Sequence, residues 1–245
     1  MKSKSSFTKK EVVVVLGCVV FVLANLGTVG STGRRRAKEA VCLSNLLKWG
    51  VIWESYADDN DGFFPERGGG YDPGQNTMLW WMFITESYYK DRKVLFCPEA
   101  TRTYLEGGRP PFAAWSTDLD GQTYSSSYSV NLWVSTEAEA KFWRSMCVAE
   151  AACVPLLLDG NWKDSEPQPY DEPPPYDGYW WEPNQNEMKR VCINRHHGAV
   201  NSVFLDLSVR KIGLKQLWKL KWYRGWPEDY PLPVWPEWME NFKDY

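Results

Sequence analysis

The sequence predicts an α+β fold: one long N-terminal helix, membrane-spanning in its first half and amphipathic in its second, packed on a C-terminal antiparallel β-sheet with long loops. Three observations carry that expectation. Residues Val12 to Leu26 are an apolar run of fifteen without a charge. From Ala37 onward, Leu43, Leu46, Leu47, Gly50, Trp53 and Ala57 fall on one face at helical spacing. Strand-like runs then recur at Tyr124 to Val134, Val154 to Asp159, Val200 to Leu205 and Val209 to Ile212. A chain of 245 residues, 44% hydrophobic and 24% charged, suits one globular body behind an N-terminal segment and excludes a wholly disordered or polytopic membrane protein.

The apolar run continues uncharged to Gly33 and lies at the lower edge of the roughly 20 residues that a membrane-spanning helix needs. A cleaved secretory signal is the competing reading, since it too places basic residues before a short apolar stretch. Against it stand the lack of an A-x-A site and the acid Glu11 abutting the run. Lys2, Lys4, Lys9 and Lys10 on one flank balance Arg34, Arg35, Arg36 and Lys38 on the other, so basic residues give no orientation. Six cysteines, five of them beyond the run, suit an oxidising compartment and place the body outside the cytoplasm. Residues 1–36 carry a net +6, leaving −9 for the rest of a chain whose total is −3. An acidic body argues against nucleic acid as partner.

Gly27, Gly30 and Gly33 each cost a helix about 1 kcal/mol relative to alanine, so a melted or kinked joint is expected between the two halves. The amphipathic half should run over 34–57 and stop near Asp58, where Asp-Asp-Asn-Asp-Gly and then Pro65 supply turn chemistry. A short helix is expected near Glu137 to Arg144.

Phe7-Thr8, Glu11, the apolar stretch, the basic helix and Cys42-Leu-Ser-Asn-Leu resemble the start of type IV pilin-like proteins, the pseudopilins of type II secretion. Tyr56-Ala-Asp-Asp-Asn-Asp-Gly, Phe96-Cys97-Pro98, and Arg195-His-His-Gly-Ala-Val-Asn201 to Asp206 resemble a branch with a processing-associated H-X9-DG signature, in which His196 and Asp206 are the named pair. Ser6 stands where such leaders end in glycine, Lys9 and Lys10 where apolar residues are usual, and Leu207 where the signature has glycine.

The resemblance implies a leader over 1–6 cut by a prepilin peptidase between Ser6 and Phe7, and an assembly helix over 7–33 with a Gly-rich joint. It further implies a pseudopilin-like body over 58–245, held by a single inner-membrane pass with the body periplasmic or extracellular. Its partners would be other copies and other pilin-like subunits, in a type IV pilus-like or type II secretion filament. Glu11 would then pair with the free N-terminal amine of a neighbouring subunit, cancelling two charges that lipid or a packed core penalises. The plainer reading is an interfacial Glu that snorkels to the headgroups.

His196 and Asp206 bracket a strand–turn–strand meander. They could be a metal pair or a catalytic dyad, but a shared hydrogen bond that pins the register is the favoured reading. With only two His and no H-x3-H spacing, zinc would need remote cysteines. Asp59-Asn-Asp61-Gly62 and Asp118-Leu-Asp120-Gly121 echo calcium loops without their full alternation and read as plain turns, so no metal or cofactor is assigned and calcium stays open. Cys42 and Cys97 are the expected disulfide, a staple across more than fifty residues, with Cys153 and Cys192 as a second pair. Buried free thiols are the alternative. No nucleophile elbow, P-loop or dinucleotide fingerprint is present, and no enzyme is expected.

Residues 164–187 hold six Pro, seven acids and five Tyr or Trp, and read as an extended loop. The tail over 226–245 repeats that flavour with four prolines and Trp226, Trp235 and Trp238. Such aromatics either wrap the body or stack on sugar rings. The expected function is accordingly a filament subunit; the alternative is a secreted or anchored polysaccharide-binding module using the Trp-rich loops.

Overall fold

The computed structural model describes residues 9–66, 80–119, 122–179 and 186–243, and among the side chains of residues 9–29 only Val14 and Leu16. The chain divides into two units, 1–38 and 39–245. Helix α1 spans Lys9–Asp58. It has no break at the glycines: residues 27–33 are helical, and a Cβ at Gly30 or Gly33 would meet nothing within 4 Å. A melted joint is therefore absent, because hydrogen bonding within a long helix outweighs about 1 kcal/mol per glycine.

Within the second unit, α1 buries Cys42, Leu46, Trp49, Ile52, Trp53 and Ala57. That stripe is rotated from the expected one, leaving Leu47 and Val51 exposed. Two polar ties set the rotation. The Trp49 indole N–H donates to Val94 O at 2.8 Å, and Asn45 Nδ2 donates to Phe96 O at 3.0 Å. The helix ends at Asp58, where Gly62 N–H returns to Ala57 O at 2.8 Å and Gly62 takes φ 83°, a conformation glycine adopts without steric cost.

Two sheets follow, and they correct the expected single antiparallel one. The first has the order β1 (Arg102–Thr103), β2 (Ala113–Leu119), β3 (Gln122–Ser126), with β1 parallel to β2. The second contains β4 (Tyr128–Asn131), β5 (Pro155–Asp159), β6 (Asp164–Ser165), β7 (Ala199–Phe204) and β8 (Val209–Gly213). Its spatial order is β6-β4-β5-β7-β8, with β6 parallel to β4 and the other pairs antiparallel. The parallel partners β1 and β6 are two residues long, too short to leave a period-2 pattern in the sequence. The expected run Tyr124 to Val134 is two strands in different sheets, broken at Ser127. Residues 137–144 form turns rather than the expected helix.

Among the described residues no helix is long and apolar enough to cross a membrane. The described side chains of α1 beyond Ser31 include Arg34, Arg35, Arg36, Lys38 and Glu39, and its apolar stripe is spent on its own body. The expected membrane-spanning half, and the single-pass inner-membrane location with it, are thereby overturned.

Among the described residues, tryptophans are largely taken up in wrapping the body. Indole rings fill the core while their N–H groups capture backbone carbonyls, the partnering a buried tryptophan needs. Trp81 donates to Lys163 O, Trp115 to Tyr128 O, Trp133 to Pro167 O, Trp218 to Asp171 O and Trp238 to Pro174 O. The last two fasten the Pro-rich loop to the 214–219 turn and to the tail.

Candidate functional site

The site forms where β5 ends beside the start of β7. Antiparallel pairing sets Leu158 opposite Ser202, which carries Asp159 to the level of Asn201 and of the turn 195–198 before β7. That turn is tight. His197 and Gly198 have φ of 54° and 75°, Gly198 N–H donates to Asn194 Oδ1 at 2.6 Å, and His196 N–H closes on Ala199 O at 2.9 Å. A Cβ on Gly198 would sit 3.0 Å from the Phe242 ring, so both the dihedral and the packing call for glycine.

Four segments converge there. Cys42 comes from α1, Cys97 from the loop after the 92–95 turn, Asp159 from β5 and His196 from the turn before β7; all are at most 3% exposed. His196 Nε2 lies 3.1 Å from Asp159 Oδ2 and 3.4 Å from Cys97 Sγ. Cys42 Sγ lies 3.7 Å from both Asp159 oxygens and accepts from Tyr128 OH at 3.5 Å. One donor atom from each of the four lies within 4.8 Å of the others, and among the described residues no second group of three or more His, Cys, Asp or Glu gathers in this way.

Arg195 completes the surroundings. It is 2% exposed and donates to Pro111 O, Ser127 O, Ala113 O and Gly160 O as well as to Asp159 Oδ1 at 3.2 Å. One guanidinium so links the start of β2, the central strand of the first sheet, to the β3–β4 junction and the end of β5. Asn201 N–H donates to Asp159 Oδ2 at 2.8 Å.

Burial would push the Asp159 carboxyl up, but the facing imidazole, the Arg195 guanidinium and the Asn201 N–H together hold it down at about 2. Burial would likewise discharge His196, yet the Asp159 charge and hydrogen bond raise it to about 10. Burial pushes the Cys97 thiol well above its ordinary value. The arrangement is closed to solvent, so it can hold a charge or an ion but offers no open position for a substrate.

The residues singled out in the sequence fare differently. Cys42 and Cys97 are brought together, but as free thiols within the cluster rather than as the expected disulfide. Cys153 and Cys192 are also free and form no second bridge: Cys153 is exposed in the 151–153 turn, while Cys192 is wholly buried. His196 makes no hydrogen bond to Asp206. The six-residue strand β7 separates them, a span of about 20 Å at about 3.3 Å per residue. Asp206 is exposed and accepts from Ser208 N–H at 2.9 Å and Ser208 Oγ at 2.6 Å, which makes it a turn residue. Ser6 and Phe7 lie outside the described residues, as does the side chain of Glu11.

Asp59 accepts from Tyr88 OH and Asp118 from Thr123 Oγ1, while Asp120 and Gly121 lie outside the described residues. Sequence reasoning missed Asp159 and Arg195. The only signal was their position, one ending an apolar strand and the other opening the Arg-His-His-Gly turn.

Comparison with known proteins gives no match: no family model, no curated protein and no solved structure is significantly similar to this chain.

Proposed function

We propose that the protein is a structural subunit of a pilin-like filament, assembled through the N-terminal half of α1, with other copies or similar subunits as its partners. The observation that carries the reading is that helix. It starts at Lys9, and its described apolar side chains Val14 and Leu16 are 63% and 58% exposed. Val14 and Leu16, two residues apart, face different sides of the helix, and apolar side chains left exposed around a helix call for covering surfaces, which further helices of the same kind supply through ridge-into-groove packing. The closed cluster at Asp159 supports the same reading, because it braces the body without offering a catalytic cavity. Resemblance of the first residues and of the 195–206 segment to pilin-like proteins supplies the filament class.

The test is electron microscopy of sheared native material together with mass spectrometry of the mature N-terminus. Filaments containing the chain, with Phe7 as first residue, are expected, and Val14→Glu with Leu16→Glu should abolish them while leaving the unfolding of the body unchanged. Monomeric native material trimmed past Val29 would sink the reading.

One observation favours the polysaccharide-binding alternative. The Pro-rich loop and the tail enclose an open groove of about 460 Å³ lined by Pro169, Tyr170, Pro173, Tyr230, Val234 and Trp235, in which Tyr170 is 66% exposed. Binding of the body to a glycan array, lost in Tyr170→Ala, would support that function instead.

A further inference from the structure

We infer that Cys42, Cys97, Asp159 and His196 are the four ligands of one buried structural metal ion, best matched by zinc, which fastens α1 to the second sheet. Neither the filament reading nor its alternative requires such a site, and metal content can be measured without regard to assembly.

Geometry is the first argument. Zinc binds thiolate sulfur at about 2.3 Å and imidazole nitrogen or carboxylate oxygen at about 2.0–2.2 Å, and it is tetrahedral in structural sites. Neighbouring donors on such a tetrahedron stand about 3.3 to 3.8 Å apart, by trigonometry on those lengths. Three of the six separations lie close to that range, at 3.1 Å for His196 Nε2 to Asp159 Oδ2, 3.4 Å for Cys97 Sγ to His196 Nε2 and 3.7 Å for Cys42 Sγ to Asp159 Oδ2, and all four donors lie within 4.8 Å of one another, so a bound ion would draw the wider pairs together. Each residue offers one donor atom to a common centre, and four donors fill a tetrahedron.

Donor chemistry is the second. Two thiolates and an imidazole select zinc over calcium or magnesium, which take oxygen ligands. With the ion bound, two thiolates, one carboxylate and the Arg195 guanidinium balance a divalent cation to zero net charge in a site that water does not reach. Binding releases the thiol protons of Cys42 and Cys97 and leaves His196 neutral, ligating through Nε2, the displaced protons passing to solvent.

The outer contacts are the third. A ligating carboxylate is oriented by hydrogen bonds to its remaining lone pairs, and Arg195 and Asn201 N–H supply these to Asp159. Tyr128 OH does the same for Cys42 Sγ. With no ligand more than 3% exposed, the fourth position is taken by protein and not by water, as in a structural rather than a catalytic site.

The competing use of the two sulfurs is a Cys42–Cys97 disulfide, which would remove both from ligation. The experiment separates the two. The full-length chain, purified under reducing conditions, is analysed for metal content, by zinc-edge X-ray absorption and by intact mass before and after alkylation. About one zinc per chain is expected, with two sulfur and two nitrogen or oxygen neighbours and both thiols protected from alkylation until a chelator is added. Cys42→Ser, Cys97→Ser and His196→Ala should each lose the zinc, whereas Cys192→Ser and Cys147→Ser should keep it. Tyr128→Phe should weaken zinc binding about 10- to 100-fold.

Should the ligand variants fail to fold, cobalt titration of the reduced wild-type chain provides the second readout, with tetrahedral visible bands and thiolate-to-cobalt charge transfer expected. A Cys42–Cys97 disulfide in the purified chain, or a reduced chain that takes up neither zinc nor cobalt, would overturn the proposal.

Discussion

His196 Nε2 stands 3.1 Å from Asp159 Oδ2, so the imidazole at the start of β7 is paired across to the neighbouring strand and not along its own strand to Asp206. The consequence is a division of labour between two aspartates that sequence spacing alone would rank the other way. Asp159 is wholly buried and meets His196, Arg195 and the Asn201 N–H, whereas Asp206 only closes an exposed turn.

Substitution should expose that division. Asp159→Asn leaves Arg195 without its carboxylate inside the body, and breaking one side of a buried ion pair costs about 3–5 kcal/mol. Asp206→Asn keeps an acceptor for Ser208 and should cost less than about 1 kcal/mol. Urea unfolding of both variants checks this, and equal losses would show that the signature aspartate has a role the turn geometry does not give it.

Arg195→Met tests the same junction from the cationic side. It retains the length of the side chain but leaves the carbonyls of Pro111, Ser127, Ala113 and Gly160 without this donor and Asp159 without its ion pair. A loss of about 3–5 kcal/mol is expected. Hydrogen exchange should show the start of β2, near Ala113, opening first, since Arg195 ties that end of the strand to β5.

Gly160→Ala should be as severe for a purely steric reason. A Cβ there would lie 1.8 Å from Ser129 Oγ and 2.6 Å from Ser129 Cβ on the adjacent strand, and 3.3 Å from Arg190 O. Removing the hydroxyl alone leaves the second clash, so Ser129→Ala should not rescue Gly160→Ala, whereas Ser129→Gly should rescue it in part. The single variant should lose at least about 2 kcal/mol in denaturant titration.

How far the sequence foretold these features depends on the length scale of each signal. The end of α1 at Asp58 was legible because turn residues act locally, β5 was legible because an apolar run marks a buried strand, and β7 and β8 were legible as the two arms of a strand–turn–strand meander. The two-residue strands β1 and β6 carry no period, and their parallel pairing depends on partners more than ten residues away, so the mixed sheets were not legible. Cys42 and Cys97 were legible as neighbours from staple reasoning, but Asp159 looked like the polar end of a strand, and only the β5–β7 register places it beside them. Leu207 shows a departure from the resemblance with a structural consequence. It takes φ 65° where the signature has glycine, in a turn whose left-handed backbone costs a leucine about 1–2 kcal/mol.

The last prediction concerns pH. Burial pushes the Glu187 carboxyl up from its ordinary 4.5 to about 7, against the lowering pull of Arg190 at 2.9 Å. The folded state therefore holds this proton more tightly than the unfolded chain does. Between pH 4.5 and 7 the folded state carries more of it, so stability from this group is greatest below 4.5 and falls as pH rises through 7. The fall is at most about 3.5 kcal/mol, at about 1.4 kcal/mol for each unit. Glu187→Gln keeps a carbonyl to accept from Glu166 N–H, which the carboxylate now does at 2.6 Å, while Arg190 retains Asp164 at 2.9 Å. The variant should lose only the pH-dependent part, so the difference between wild-type and variant unfolding free energies should slope downward from pH 5 to 7 and level off above it. A flat difference across that range would show that the carboxyl reaches solvent and ionises at its ordinary value, and that the 187–190 turn opens more readily than its hydrogen bonds imply.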